Sequence, residues 1–196
     1  MSPALAAANN GNWRTARRWQ RLLSWPTRII EQWPDEFSDR DRVMLALHAR
    51  RSSPSIIAWR EMRRSAGLAV ILTGTDLYRD IGSDVGAQRS LHLADALVVL
   101  QERGPLALPG ALHAKTRVIF QSTSRRKTQA KSQRRLRALM VGHLRAEKDP
   151  ETLFAAARLL AGRDDIRIDH IGDPLEPRLG EAARATMAAS ASYRWL

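Results

Sequence analysis

Short apolar segments alternate along this chain with longer segments whose apolar residues recur at helical spacing. The pattern predicts strands at residues 27–33, 42–49, 68–73, 96–100 and 117–121, with helices at residues 13–23, 53–64 and 85–93. Such alternation is typical of βαβ units, which build mostly parallel sheets. The first part of the chain is therefore predicted to be α/β, although residues 1–5 are too few for a convincing buried first strand.

The alternation stops at residues 122–137, which carry seven basic residues and no acidic one. This composition indicates a linker between domains. Beyond it, strands are predicted at residues 136–141 and 165–171, helices at 149–160 and 176–189, and the start of a further strand at Tyr193. We therefore expect an N-terminal domain at residues 1–121, a basic linker at 122–136 and an incomplete second α/β unit at 137–196.

The composition narrows the possible functions. A hydrophobic content of 44% supports a packed core, and the absence of cysteine excludes disulfides, thiolate metal sites and a cysteine nucleophile. The net charge of +12 suits anionic partners, although an arginine-rich coding bias would give the same balance. The longest apolar runs are too short to span a bilayer, and the N-terminus does not resemble a signal peptide. A cytoplasmic protein without a membrane partner is expected.

Polar loops at residues 9–12, 48–52 and 73–80 follow, or are expected to follow, the ends of parallel strands. The carboxyl ends of such strands meet at one edge of the sheet, so these loops should converge there. The candidate catalytic residues are His48 and Asp76, and His48 has a side chain suited to proton transfer near neutral pH. A histidine that is merely satisfied at a strand end remains an alternative. The candidate substrate-binding residues are Asn10, Gly11, Asn12, Arg50, Arg51, Thr73, Gly74 and Thr75.

A second candidate loop follows the strand predicted at residues 136–141. Gly142 would let a ligand approach the backbone, while Arg145 and Lys148 could hold a diphosphate. A solvated basic turn is the alternative. No histidine has a partner at metal-ligand spacing, so neither a metal site nor a cofactor is predicted.

Read together, these loops resemble those of one family. The segments in question are NGNWRTA, ALHARRS, LTGTDLYRD and VGHLRAEKDP, which begin at residues 10, 46, 72 and 141. The last is similar to the donor-phosphate loop of retaining, two-domain GT-B glycosyltransferases, and LTGTD is similar to their HGTD loop. The closest resemblance, which covers nearly the whole chain, is to the selenosugar synthases of selenoneine biosynthesis.

The resemblance implies a GT-B-like fold of two Rossmann-like units and the transfer of a sugar from a UDP-sugar to selenophosphate, giving a 1-seleno-sugar. It implies that Arg145 and Lys148 hold the donor diphosphate. It also implies that His48, Arg50 and Arg51 line the acceptor side. His143 stands where the wider superfamily has arginine. Most of the first strand and the acidic donor segment of the superfamily have no counterpart, so a shortened copy is expected. The alternatives are an inactive remnant that binds anions weakly and, less favoured, a basic nucleic-acid-binding protein.

Overall fold

The structure of the protein is a computed structural model that describes residues 1–8, 10–125, 127–128 and 130–196. Two compact units, Met1–Ser124 and Arg125–Leu196, each contain their own parallel sheet. The α/β class with two parallel-sheet units, predicted from the sequence, is therefore confirmed. Asn9 of the predicted loop at 9–12, and Arg126 and Gln129 of the predicted linker, lie outside the described residues.

The first unit is built on four parallel strands that lie side by side in chain order. Its elements are α1 (Gly11–Leu22), β1 (Val43–Leu47), α2 (Ser53–Met62), β2 (Gly67–Ile71), α3 (Gly74–Tyr78), α4 (Val85–Leu93), β3 (Ala96–Val99) and β4 (Thr116–Val118). Successive side chains of a strand point to opposite faces. One face of this sheet packs on α2 and α4, and the other packs on α1.

Met1 extends this sheet beyond β1. Its amino group donates to the carbonyl of Leu45 at 3.0 Å, and its carbonyl accepts from the N–H of Leu47 at 3.2 Å. This is the bonding pattern of a parallel bridge. Ser2 then donates from its N–H to the carbonyl of Ile30 at 2.8 Å. The segment at Met1 therefore lies between β1 and the chain around Ile30.

The strand predicted at residues 27–33 does not form, so that prediction was wrong. The side chains of this segment make other contacts instead. Arg28 forms ion pairs with both Asp35 and Asp41, and the N–H of Trp33 donates to Ser55 Oγ at 3.0 Å. Trp33 itself is buried edge-on against another tryptophan of the core. The apolar side chains whose spacing suggested a strand instead anchor an irregular segment to the core.

The second unit contains three parallel strands in chain order with two helices. Its elements are β5 (Leu136–Val141), α5 (Pro150–Leu159), β6 (Ile166–Ile171), α6 (Pro177–Ala189) and β7 (Tyr193–Trp195). The helices and the sheet share a core around Phe154, Ile168 and Leu179. Leu139 and Val141, on the edge strand β5, stay 64% and 66% exposed. Within the described ranges, no helix is both long and apolar enough to cross a membrane.

Candidate functional site

The first half of α1 lies over the carboxyl ends of the strands in the first unit. Ala16 shares a buried cluster with Leu47, Ile71 and Val98, each of which is the last or next-to-last residue of its strand. Thr15 accepts at Oγ1 from the side-chain amide of Gln121, which follows β4, at 3.1 Å. The start of α1 therefore lies at the sheet edge where the sequence predicted the site.

The winding of the first unit also reverses at this place. The segment at Met1 leads into α1 on one face of the sheet, whereas β1 leads into α2 on the other face. Open α/β sheets bind ligands at the carboxyl ends of strands where the winding reverses. The loops that follow these two neighbouring segments contain Asn10–Asn12 and His48, respectively. Topology thus favours two of the three loops that the sequence predicted at this edge, those at residues 9–12 and 48–52.

The loop predicted at residues 9–12 is shorter than expected because α1 already begins at Gly11. Asn10 is its N-cap and accepts at Oδ1 from the N–H of Trp13 at 3.1 Å. A Cβ added at Gly11 would have no atom within 4 Å, so packing does not require glycine there. Amide groups in the first turn of a helix and the helix dipole both favour an anion. Asn12 lies in this turn and is half-buried.

His48 directly follows β1 and occupies an unusual backbone conformation, with φ at 71°. Its N–H continues the ladder to Ile71, and its carbonyl accepts from Ser52, whose hydroxyl donates back to Leu47 at 2.6 Å. Histidine adopts positive φ only when its surroundings hold it there. The turn from His48 to Ser52 is therefore tightly specified, and it leads directly into α2.

Asp76 joins the ends of β1 and β2. One carboxylate oxygen accepts from the N–H of Ala49 at 2.7 Å. The other accepts from the N–H and the hydroxyl of Thr73 at 2.7 Å and 2.8 Å, which completes a capping box at the start of α3. The predicted loop at 73–80 is thus largely a short helix, because this capping box nucleates it. Asp76 is fully buried, whereas Gly74 is exposed and Thr75 half-buried.

Asp80 binds two arginines, Arg50 and Arg79, next to the buried imidazole of His48. Its two oxygens accept from Arg50 Nε at 2.7 Å and from Arg79 Nε at 3.0 Å. Burial alone would raise the pKa of Asp80, but these two hydrogen bonds hold that pKa below its usual range. The Asp80 carboxylate is 3.9 Å from His48 Nε2. Asp80 was not among the site residues predicted from the sequence, although its position one helical turn after Asp76 was a visible signal.

The imidazole of His48 is buried and holds one unused donor. Its Nδ1 accepts from the N–H of Arg51 at 3.4 Å, so the hydrogen of the neutral ring lies on Nε2. That Nε2 is buried and has no hydrogen-bond partner among the described residues. Burial lowers the pKa of His48, and the charges of Arg51 and Arg50 act in the same direction, against Asp76 and Asp80. Burial raises the pKa of Asp76, its partner 3.9 Å away.

Two features of this arrangement suit an anionic or hydroxyl-bearing ligand. The guanidinium groups of Arg50 and Arg79 are 39% and 54% exposed at their side chains, so solvent reaches them. The neutral imidazole of His48 has a buried Nε2–H without a hydrogen-bond partner among the described residues. A buried donor without a partner is costly, and a ligand that accepts from it removes that cost.

The second candidate loop lies at the end of β5. The side chain of Lys148 runs over Gly142, since a Cβ added to that glycine would lie 3.6 Å from Lys148 Cδ. The loop ends at Asp149, which caps α5 from a left-handed backbone conformation and accepts from the hydroxyl of Thr152 at 2.7 Å. Lys148 is exposed. Gly142, Arg145 and Lys148 thus lie together in one loop.

Arg145 is half-buried in the middle of this loop. Its Nε atom is buried without a hydrogen-bond partner in the described part of the chain, and lies 3.9 Å from a carboxylate oxygen of Glu147. The neighbouring N–H of Ala146 donates to Glu176 at 2.7 Å, which ties the loop to the start of α6. The loop therefore carries a half-buried guanidinium next to a backbone that is tied to α6.

Neither loop offers a metal centre. Across the described ranges, there is no group of three or more histidine, cysteine, aspartate or glutamate side chains that could hold a metal ion. His143 uses Nδ1 to accept from the N–H of Asp173 at 3.0 Å. The chemistry available is that of hydrogen-bond donors and positive charge.

Comparison with known proteins places the fold. No protein-family profile matches the chain, and no curated protein matches it by sequence. Among solved structures, it is similar to the crystal structure of a mutant of S. aureus TarM in complex with fondaparinux, alpha-GlcNAc-glycerol and UDP. The TM-score is 0.55 at 10% sequence identity.

The chain has a GT-B-like glycosyltransferase fold, as its two parallel sheets and this likeness show. The match covers 78% of this chain and 32% of the TarM chain, so the chain spans about a third of the length of that protein. At 10% identity the likeness shows the fold alone. The roles predicted for individual residues stay predictions.

Proposed function

We propose that the protein is a cytoplasmic glycosyltransferase that moves a sugar from a UDP-sugar to selenophosphate. The observation that carries the proposal is the placement of exposed cationic side chains and unused donors at the carboxyl ends of strands in both units. The likeness of the fold to a TarM structure that contains UDP supports a nucleotide-sugar donor. The motif resemblance described above supports selenophosphate as the acceptor.

The donor diphosphate is proposed to bind at residues 142–148. Arg145 supplies a guanidinium whose Nε has no hydrogen-bond partner in the described residues, and Lys148 supplies an exposed point charge. Arginine and lysine bind phosphate oxygens as a fork and as a point charge, respectively. The side chain of Lys148 lies close to Gly142, so its charge is proposed to act at the start of this loop.

The acceptor is proposed to bind at the edge formed by His48, Thr73, Gly74, Thr75 and the first turn of α1. Arg50 and Arg51 provide positive charge for the phosphate oxygens of selenophosphate, together with the helix N-terminus at Asn10, Gly11 and Asn12. His48 Nε2–H is proposed to donate to the acceptor. Asp76 acts by holding Ala49 and Thr73 in place.

In the proposed reaction, the selenium of selenophosphate forms a bond to the anomeric carbon of the sugar. The bond from that carbon to the diphosphate oxygen breaks, and UDP leaves with the electron pair. The direct product is a sugar that carries phosphate on selenium, and attack of water on phosphorus then cleaves the selenium–phosphorus bond, releasing phosphate and the 1-seleno-sugar. As the bond to UDP breaks, negative charge grows on the diphosphate, where Arg145 and Lys148 stabilise it. Fixed charges of this kind contribute much of the rate in transfer reactions.

Calorimetric titration of UDP into the full chain tests the donor half of the proposal. Arg145→Gln and Lys148→Ala each remove one charge-assisted contact and should weaken binding by about 1.5–3 kcal/mol, or roughly ten- to hundredfold. Arg158→Gln is the matched control, because Arg158 is exposed in the last turn of α5 within the same unit. Equal affinities for the wild type, Arg145→Gln and Lys148→Ala would contradict the proposed donor site.

A further inference from the structure

A buried chain of hydrogen bonds supports the peptide from which the loop at residues 142–148 departs. His170, fully buried on β6, has Nε2 at 3.1 Å from the carbonyl of Gly142 and Nδ1 at 2.9 Å from the hydroxyl of Tyr193. A carbonyl can only accept, so the hydrogen of the neutral ring lies on Nε2, and Nδ1 accepts from the Tyr193 hydroxyl. We call this the Tyr193–His170–Gly142 chain.

A second contact from β7 secures the neighbouring turn. Trp195 Nε1 donates to the carbonyl of Gly172 at 2.8 Å. The backbones at Gly172 and Gly142 approach so closely that a Cβ at Gly172 would lie 2.0 Å from the Gly142 oxygen. Trp195 thus bonds directly to the carbonyl of Gly172, and Tyr193 of the same strand supports the neighbouring carbonyl of Gly142 through His170.

We propose that Tyr193 and His170 are positioning residues for the loop at residues 142–148 and set its affinity for a diphosphate. This inference rests on the function proposed above. Neither side chain lies among the proposed ligand-binding residues. They act on the carbonyl of Gly142, and the side chain of Lys148 packs against that same glycine.

The tyrosine is suited to this role because it remains a donor. Burial raises the pKa of Tyr193 to about 12, so its hydroxyl keeps its hydrogen at neutral pH. Its ring is held separately, edge-on against Phe154 with the ring centres 5.7 Å apart. Removal of the hydroxyl alone therefore leaves the packing of the ring in place while it removes the partner of His170 Nδ1. The imidazole then loses the hydrogen bond that orients it at Nδ1, so it is held less firmly against the Gly142 carbonyl.

The test compares Tyr193→Phe with Thr186→Val in the full chain. Thr186 is a matched control, because its buried hydroxyl donates to Ala182 within α6 at 2.8 Å and does not touch the loop. We expect Tyr193→Phe to weaken UDP binding about three- to tenfold, the usual effect of one hydrogen bond, and Thr186→Val to leave it unchanged. Amide hydrogen exchange at residues 142–148 without ligand should become faster in Tyr193→Phe alone.

Nitrogen-15 NMR of His170 in the wild type provides a measurement that needs no variant. We expect the hydrogen on Nε2. A hydrogen on Nδ1, or unchanged UDP affinity together with unchanged exchange in Tyr193→Phe, would overturn the inference. If the wild type does not bind UDP, the proposed function fails, and the exchange rates at residues 142–148 alone decide whether the Tyr193–His170–Gly142 chain positions the loop.

Discussion

At the scale of single residues, His48 shows how the candidate site differs from ordinary core packing. It combines a positive φ of 71° with a buried Nε2 that has no partner among the described residues. Each feature costs stability, and such costs collect at functional sites. Asp80 and Asp76 lie on either side of the imidazole, at 3.9 Å each. The strain is therefore held in place by the carboxylates and the turn around them.

Asp80 makes the stability of this cluster depend on pH. Because its pKa in the folded protein lies below its usual range, Asp80 contributes stability in full above the ordinary value of about 4. That contribution is lost as the pH falls through the lower folded pKa. Urea unfolding at several pH values should show the wild type more stable than Asp80→Asn at pH 6, with the difference shrinking towards pH 2.

The control for this prediction is Asp39→Asn, which removes a fully exposed carboxylate that lies 3.4 Å from Arg63. Exposed pairs contribute little to stability. We therefore expect this variant to follow the wild type closely across the same pH range. A constant difference between wild type and Asp80→Asn from pH 6 to pH 2 would show that the arginines do not stabilise the Asp80 carboxylate.

At the scale of elements, the sequence identified most strands and helices because their signals are local. The helix predicted at residues 85–93 is α4, and the strand predicted at 136–141 is β5, each with the same ends. The error at residues 27–33 has a tertiary cause, since ion pairs of Arg28 and the buried Trp33 decide that segment. The start of α3 was not predicted, because the polar residues that form a capping box are also typical of a loop.

The convergence of the candidate loops was also predictable in part. Strand ends give the positions of His48 and Thr73 directly, because parallel strands end at one edge. The pairing of Asp76 with Ala49, 27 positions away, could not be deduced from spacing, and neither could the contact of Tyr193 with His170. Such contacts depend on which strands become neighbours, and local pattern carries no information on that.

Helix α3 offers a test that separates stability from binding. Gly74 is exposed at its first position, and a Cβ there would have no atom within 4 Å. Gly74→Ala should raise the free energy of unfolding by about 0.4–1 kcal/mol, because alanine restricts the unfolded chain. The same methyl group should weaken binding of selenophosphate, since it stands where the ligand would approach the backbone.

Gly82→Ala is the matched control, since a Cβ at Gly82 also meets open space and Gly82 lies outside the candidate site. It should keep the affinity of the wild type for selenophosphate. Thermal unfolding and calorimetry of both variants check the prediction. Affinity in Gly74→Ala equal to that in Gly82→Ala would argue against a ligand at the start of α3.

At the scale of the whole molecule, the two units have different anionic ligands in this account. The net charge of +12 is a general attraction for anions, whereas the unused donors of His48 and Arg145 are specific features, one in each unit. Electrostatic attraction by the net charge alone would give binding that is spread over the surface and that weakens as the salt concentration rises. Specific sites would confine each ligand to its own loops.

Hydrogen–deuterium exchange of the full chain, measured with UDP and separately with selenophosphate at 0.15 M salt, tests this claim most directly. The account predicts that UDP slows exchange at residues 142–148 and that selenophosphate slows exchange at residues 10–12, 48–52 and 73–76. Protection spread evenly over the basic surface with either ligand, or no protection at residues 142–148 with saturating UDP, would contradict it.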